Sequence, residues 1–292
     1  MKDYLVRGIV NERNCRVFAC STKHLLEEAR LHHDLYPTAS AALGRVMSVT
    51  LMMGAMNKSH EKMTVTINGG GPIGTVMACT NSDGKVKGFV SNPHTHFTYN
   101  DTGKLAVGYA IGTQGTLQVI KDMGLKEPFV GTVPLQSGEI GDDFSYYFMV
   151  SEQTPSVVSV GVRVNDTNEI LSSGGFIIQL LPDATEEDIV YIEDKMKDFT
   201  PVSTLLNEGK RPEEILDMIF DEVEILDRQE LFFECDCSKE KMAEAIKTVG
   251  RDELRSMIEE DHGCEIICHF CNTHYYFDES ELVSLLEELE MS

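Results

Sequence analysis

Apolar residues recur along the first twenty positions as two short arms. Leu5-Val6 and Ile9-Val10 form one, Val17-Phe18-Ala19-Cys20 the other, and a polar turn from Asn11 to Asn14 separates them. That pattern predicts a β-hairpin. The period then lengthens. Thr22 is placed as the N-cap of a helix to about His33, Pro37 ends it, and a longer helix is expected from about Thr38 to Asn57. Its Met47, Met52, Met53 and Met56 fit a core helix packed on a sheet, with an adaptable methionine surface as the alternative. Alternation returns at Thr64-Val65-Thr66-Ile67 and resumes from Thr75 to Thr80, then from Val86 to Val90 across an Asp83-Gly84 turn. Short strands with glycine turns are expected over 105–135, Thr116 to Ile120 being the clearest. A helix from Asp142-Asp143 to Glu152 would bury Phe144, Tyr147, Phe148 and Met149. Val157 to Val164 and Phe176 to Leu181 read as strands, with turns around Asn165-Asp166 and Ser172-Ser173-Gly174-Gly175 between them.

Pro182 opens a different regime, acidic and helical. Thr185-Glu186-Glu187-Asp188 reads as a capped helix start reaching about Phe199. Pro201 and Gly209 punctuate, and Pro212 opens another helix with Ile215, Leu216, Met218, Ile219 and Phe220. Short helices are marginal alone, so these apolar residues are expected to dock on one or both flanking domains. A terminal module is placed from Leu231-Phe232-Phe233 onward. It has helices from Ser238 to about Val249 and from Asp252 to Glu260, strands at Glu265-Ile266-Ile267 and Tyr275-Tyr276-Phe277, and a last helix from Ser280 to Glu290. So few apolar residues for so small a unit call for a staple.

Composition sharpens this picture. The 292 residues, 42% hydrophobic and 25% charged, suit a globular chain with room for two domains. The formal net charge of −23 repels phosphate backbones, and no Lys/Arg run offsets it, so nucleic acid is not expected as a partner. Ala39 to Met56, the most apolar stretch, contains Arg45 and several polar residues and is too short to span a bilayer. No signal-like segment opens the sequence at Met1-Lys2-Asp3-Tyr4. A cytoplasmic location without membrane contact is therefore expected, where clustered thiols point to metal or redox chemistry.

The thiols are indeed clustered. Cys235-Asp236-Cys237 is C-x-C, and Cys268-His269-Phe270-Cys271 is C-x-x-C. Two close pairs brought together by an intervening fold supply the four sulfurs of a structural zinc site. Unligated core thiols and permanent disulfides are the alternatives. Zinc is the expected cofactor and Cys235, Cys237, Cys268 and Cys271 its expected ligands. Cys15, Cys20 and Cys79 are read as buried or half-buried strand thiols. Cys264, extra to the pattern, is read as a half-buried strand thiol too, with ligand exchange or a competing disulfide as its other roles. His262, His269 and His274 are expected to support the site or face solvent. The fold class is α+β, divided into an N-terminal α/β sheet-and-helix domain (1–181), a helical linker (182–230) and a small C-terminal zinc-binding domain (231–292).

Two other constellations call for a reading. Asn68-Gly69-Gly70-Gly71-Pro72-Ile73-Gly74 could cradle phosphate, but no Lys-Ser/Thr pair or helix follows, so a tight strand-to-strand turn is expected. Asp142 and Asp143 could be general acid–base groups, but no histidine or nucleophile accompanies them, so helix-start charges are expected.

These residues together resemble the redox-regulated chaperone family called heat shock protein 33, or the 33 kDa chaperonin. The matching stretches are the two cysteine pairs, Pro37 to Arg45, Gly69 to Gly74, Ser91-Asn92-Pro93, Ser137 to Tyr147 and Gly174 to Leu180, in the family's order along essentially the whole chain. The resemblance implies a non-enzymatic, ATP-independent holdase that binds unfolding clients during oxidative stress. It implies activation through disulfides Cys235–Cys237 and Cys268–Cys271, with zinc release, unfolding of the C-terminal region and homodimer formation. A C-x-C disulfide closes a very small, strained ring that reductant would reopen readily. The rival reading is a thiol–disulfide oxidoreductase using Cys268 and Cys271, which needs the C-x-x-C to open a helix in a thioredoxin-like setting. A further rival, an enzyme in the N-terminal domain, has only the glycine loop and the Asp142-Asp143 pair to support it.

Overall fold

The computed structural model describes residues 2–56 and 61–291. It divides into two compact units, Met1–Glu234 and Cys235–Ser292. In the first the chain runs β1 (Tyr4–Val10), β2 (Cys15–Ser21), α1 (Lys23–His33), α2 (Pro37–Gly54), β3 (Lys62–Asn68), β4 (Val76–Asn81), β5 (Lys85–Val90), α3 (Val107–Ile111), β6 (Thr116–Asp122) and β7 (Phe129–Pro134). It continues as α4 (Gly141–Ser151), β8 (Ser156–Val164), β9 (Ile170–Leu180), α5 (Glu186–Lys197), α6 (Val202–Asn207), α7 (Pro212–Asp217), β10 (Glu224–Glu230) and β11 (Phe232–Phe233).

Two sheets result. One has strand order β10-β1-β2-β9-β8 and is antiparallel throughout; the other, β11-β5-β4-β3-β6-β7, is antiparallel except where β11 runs parallel to β5. Helix α2 packs against strands of both sheets. Every residue from Thr38 to Gly54 except Arg45 is buried. A helix apolar all round is one enclosed on all sides. Small residues at Ala39, Ser40, Ala41, Ala42 and Gly44 let its neighbours come close. Two of its buried hydroxyls turn back on the helix, Ser48 Oγ donating to the Gly44 carbonyl (2.7 Å) and Thr50 Oγ1 to that of Val46 (2.7 Å). Met47, Met52 and Met53 are fully enclosed and Met56 packs on the same core, which settles the core reading of this helix. Its expected end at Asn57 lies outside the described residues.

A second apolar layer covers the other face of the first sheet. Ile192, Val202, Leu205, Ile215, Leu216, Ile219 and Phe220, all from the acidic segment after Pro182, pack with Tyr4, Val6, Val17, Phe176 and Ile178. The expected docking is therefore onto the first unit's own sheet. Thr185 Oγ1 accepts from the Asp188 amide (3.4 Å) and the Asp188 carboxylate accepts from the Thr185 amide (2.8 Å), closing the reciprocal cap that the sequence signals.

Several expectations need correction. Residues 182–230 are not wholly helical: Glu224–Glu230 is strand β10 on the edge of β1. It is exposed along almost its whole length, so it lacks the alternation that marks a half-buried strand. Leu231 and Phe233, read as the opening of the terminal module, are buried in the first unit's core. Ser172 to Gly175 is no turn but the middle of β9, where the missing side chain at Gly174 leaves room for the Cys20 carbonyl and Leu206. Val107–Ile111 is helical within a stretch read as strands, and α6 was not signalled. Both are too short for a helical period to register. Phe144, Tyr147 and Phe148 are buried in α4 as expected, but Met149 falls off that face and is 53% exposed.

The glycine loop is a backbone-on-backbone contact. Gly71 donates to the Ile111 carbonyl (2.9 Å), Gly70 to Asn68 Oδ1 (3.0 Å) and Gly74 to the Gly71 carbonyl (3.1 Å), so these amides are spent within the fold. A Cβ at Gly71 would lie 2.3 Å from the Ala110 carbonyl oxygen. Gly71→Ala should therefore lower stability by about 2–3 kcal/mol, because backbone rather than a movable side chain blocks the methyl. Urea unfolding with wild-type midpoint for this variant would refute the contact.

Candidate metal centre

The second unit contains α8 (Lys239–Lys247), α9 (Arg251–Ser256), a π-helical turn (Met257–Asp261), the antiparallel pair β12 (Gly263–Ile267) and β13 (His274–Asp278), and α10 (Glu279–Met291). The expected helix to Glu260 thus changes to the wider π turn after Ser256. Its apolar centre is small: Ile246, Leu254, Phe277, Leu282 and Leu285 are the buried aliphatic and aromatic residues. Ser238 caps α8 by accepting from the Lys241 amide (3.3 Å). Lys241 Nζ reaches back to both the carbonyl and carboxylate of Asp236 (2.6 Å each), which fixes the C-x-C stretch just before the helix.

The C-x-x-C lies in the turn between β12 and β13. Cys268 donates its amide to the Thr273 carbonyl (3.0 Å), and Asn272, at φ 53°, donates to the Cys268 carbonyl (2.8 Å). This tight turn sets Cys268 and Cys271 side by side. The four sulfurs of Cys235, Cys237, Cys268 and Cys271 all lie within 4.8 Å of one another. Cys235 and Cys268 are 3.7 Å apart, Cys237 and Cys271 3.4 Å. A tetrahedral ion with metal–sulfur bonds of about 2.3 Å needs sulfur–sulfur edges of about 3.8 Å. The spacing thus fits a four-coordinate cation. Cys268 and Cys271 are buried; Cys235 and Cys237 are half-buried.

The surroundings donate to sulfur. Tyr275 Oη donates to Cys237 Sγ (3.1 Å), and Thr273 Oγ1 lies 3.2 Å from Cys271 Sγ. Backbone amides of Cys237, Phe270 and Thr273 support Cys235, Cys268 and Cys271 in turn. Burial pushes the Cys235 and Cys268 thiols up. Burial also opposes ionisation of Cys271, but hydrogen bonds from Thr273 and from Cys237 and Cys235 outweigh it and bring that thiol down to about 7. Four thiolates this close repel one another, so full ionisation needs a cation among them.

The other candidates fall outside this cluster. Cys264 sits in β12 opposite Phe277, half-buried against the unit's apolar centre. His262 pairs with Glu279 (3.0 Å) and His274 with Glu265 (2.5 Å). Asp143 is buried and accepts four amides, those of Gln136, Ser137, Gly138 and Ile140, which commits its carboxylate to holding the loop before α4. Asp142 accepts from Ser137 Oγ. The hydroxyls of Tyr275 and Thr273 were missed; Tyr275 reads only as a strand residue, and nothing in its spacing ties it to Cys237. No described helix is long and apolar enough to cross a membrane.

A mixed α+β unit followed by a small unit with four gathered thiols defines a two-part protein with a cysteine cluster able to hold a metal ion. Comparison with known proteins places it further. The family model described as Hsp33 protein matches residues 3–278. The 33 kDa chaperonin of Staphylococcus epidermidis is 49% identical over 290 residues, 99% of each chain, and that of Brevibacillus brevis is 48% identical over 99% of this chain and 100% of the relative. The crystal structure of the 33 kDa chaperonin (heat shock protein 33 homolog) from Thermotoga maritima matches with a TM-score of 0.91 at 35% identity, covering 100% of both chains. The chain belongs to the Hsp33 protein family and is a chaperone of that type.

The remaining cysteines separate by burial. Cys15 and Cys20 are enclosed in β2, and burial pushes each thiol up to about 12. Neither should react with iodoacetamide at pH 8 in the folded protein, whereas both should react after denaturation; peptide mass spectrometry reads the difference. Modification of Cys20 in the native state would contradict its enclosure.

Proposed function

We propose that the chain is a redox-regulated, ATP-independent holdase whose switch is the four-cysteine centre, with zinc as its metal. The observation that carries this reading is the convergence of four sulfurs from the start and the middle of a unit with little core of its own. The functional division is a body (1–181), a joining segment (182–230) whose last strand β10 extends the body's sheet, and a switch module from Cys235 onward, residues 231–234 being packed on the body. Zinc bound by Cys235, Cys237, Cys268 and Cys271 would keep the sulfurs as thiolates and tie the start of the module to its β-turn. Tyr275 and Thr273 hold two of those sulfurs in place through their hydroxyls.

Peroxide would take two electrons from each pair. Two thiolates give up one electron each as a Cys235–Cys237 or Cys268–Cys271 disulfide forms, and each peroxide takes those two electrons and two protons from solvent to leave as two waters. Sulfurs so paired no longer ligate, and the metal departs. Structural zinc supplies about 10–16 kcal/mol in finger-sized units. A core this small supplies about 3–5 kcal/mol. The module is then expected to unfold. Loosening of the segment that precedes it would open the apolar faces carrying Leu205, Leu216, Ile219 and Phe220 to unfolded clients. Dimerisation of the oxidised form and a cytoplasmic setting belong to the same reading. The oxidoreductase alternative is disfavoured because the C-x-x-C lies in a turn between strands rather than at the start of a helix.

Zinc release and suppression of client aggregation, followed on one sample before and after peroxide at raised temperature, test the switch. About one equivalent of zinc should leave, and suppression should appear only then. Release without suppression would reduce the metal to a structural part. Tyr275→Phe should weaken zinc binding by about tenfold or more in competition with a chromophoric chelator. Unchanged affinity would remove Tyr275 from the site.

A further inference from the structure

A groove of about 640 Å³ opens on the first unit, far in sequence from the cysteines. Strand β8, the start of α6 and the loop around Lys104 form its walls, and Arg45 of α2 reaches into it. Its charge runs against that of the chain. The protein as a whole carries a formal net charge of −23, yet the groove is lined by Arg45, Lys104 and Arg163 against the single carboxylate of Glu139.

That carboxylate is fully engaged. Glu139 Oε2 accepts from Arg45 Nη1 (2.7 Å), while Oε1 accepts from Tyr99 Oη (2.9 Å) and the Gly108 amide (3.1 Å). Arg45 Nη1 also donates to the Glu139 carbonyl (3.1 Å), but its Nε is buried without a hydrogen-bond partner. Lys104 and Arg163 make no ion pair among the described residues, and the hydroxyls of Ser203 and Thr204 line the same wall without a protein partner there. Gly161 packs directly on Ser203 at the base of the groove; a Cβ on it would lie 2.9 Å from that of Ser203, so a side chain there would push α6 off β8.

We propose that this groove binds a small phosphate monoester. The uncompensated cations and free hydroxyls are the donors an oxyanion takes. The volume is that of a small-molecule site and far exceeds a bare phosphate, so the ester's organic body occupies the remainder. Because β8 forms one wall and Pro201 to Thr204 the other, the ligand bridges the sheet and the helix laid over it. Binding then stabilises α6 against separation from β8 by mass action.

Adenosine monophosphate is a suitable probe, used on the zinc-loaded full chain at low ionic strength, where screening is least. Backbone amide signals of Gly161, Ser203 and Thr204 should shift saturably, and the thermal unfolding midpoint should rise. Lys104→Ala/Arg163→Ala should weaken binding by about tenfold or more, because both charges are exposed and their removal leaves the fold intact. Lys126→Ala, on the turn between β6 and β7 and not among the residues that line the groove, should leave it unchanged. No saturable shift up to about 10 mM ligand, or equal affinity in the double variant, overturns the proposal. Inorganic phosphate binding as tightly as the nucleotide overturns the ester assignment, because the rest of the groove would then lie outside the site.

Discussion

Four sulfurs drawn to one point are the constraint on which the second unit depends. Cys235 and Cys237 come from its first residues, Cys268 and Cys271 from a turn late in its fold, and all four lie within 4.8 Å. Packed without a cation, these groups oppose one another's ionisation; around a cation they become the strongest cross-link the unit has. The apolar centre beside them is too small to take over that duty.

The first unit is built on the opposite principle. Its central helix is enclosed by two sheets, the Ser48 and Thr50 hydroxyls bond the helix's own backbone, and its glycine loop is locked by backbone contacts. The acidic segment after Pro182 adds a separate layer on one outer face, held by a modest set of aliphatic and aromatic side chains and by a reciprocal cap at Thr185 and Asp188. A two-sheet body, an added layer and a small end unit make a series of shrinking apolar cores along the chain.

Legibility in the sequence followed chemistry more closely than topology. The cysteine pairs were readable because their residue type and spacing carry the ligand chemistry locally, and the Thr185 cap because its partners are three residues apart. The enclosure of α2 on two sides was not, since an apolar helix looks alike against one sheet or two. Strand β10 stayed hidden because an exposed edge strand of Glu, Asp, Arg and Gln has no apolar alternation to show. Ser172 to Gly175 imitates a turn because small residues serve both turns and close strand packing. The support that Tyr275 gives to Cys237 spans 38 positions, and the Arg45–Glu139 pair 94; pairings of that range belong to the folded chain.

The pairing of β1 with β10 bears on how the protein is made. Tyr4 lies opposite Glu230, and Ile9 opposite Glu224. Strand β1 therefore leaves the ribosome long before its partner β10, and the core residues Leu231 and Phe233 follow β10. At ordinary rates of about 5–20 residues per second, that leaves the nascent chain without its edge partner for tens of seconds. During that interval the apolar strand β1 has β2 on one side and an open row of amides and carbonyls on the other. A chaperone of this architecture is thus, during its own synthesis, a chain with an unprotected sheet edge.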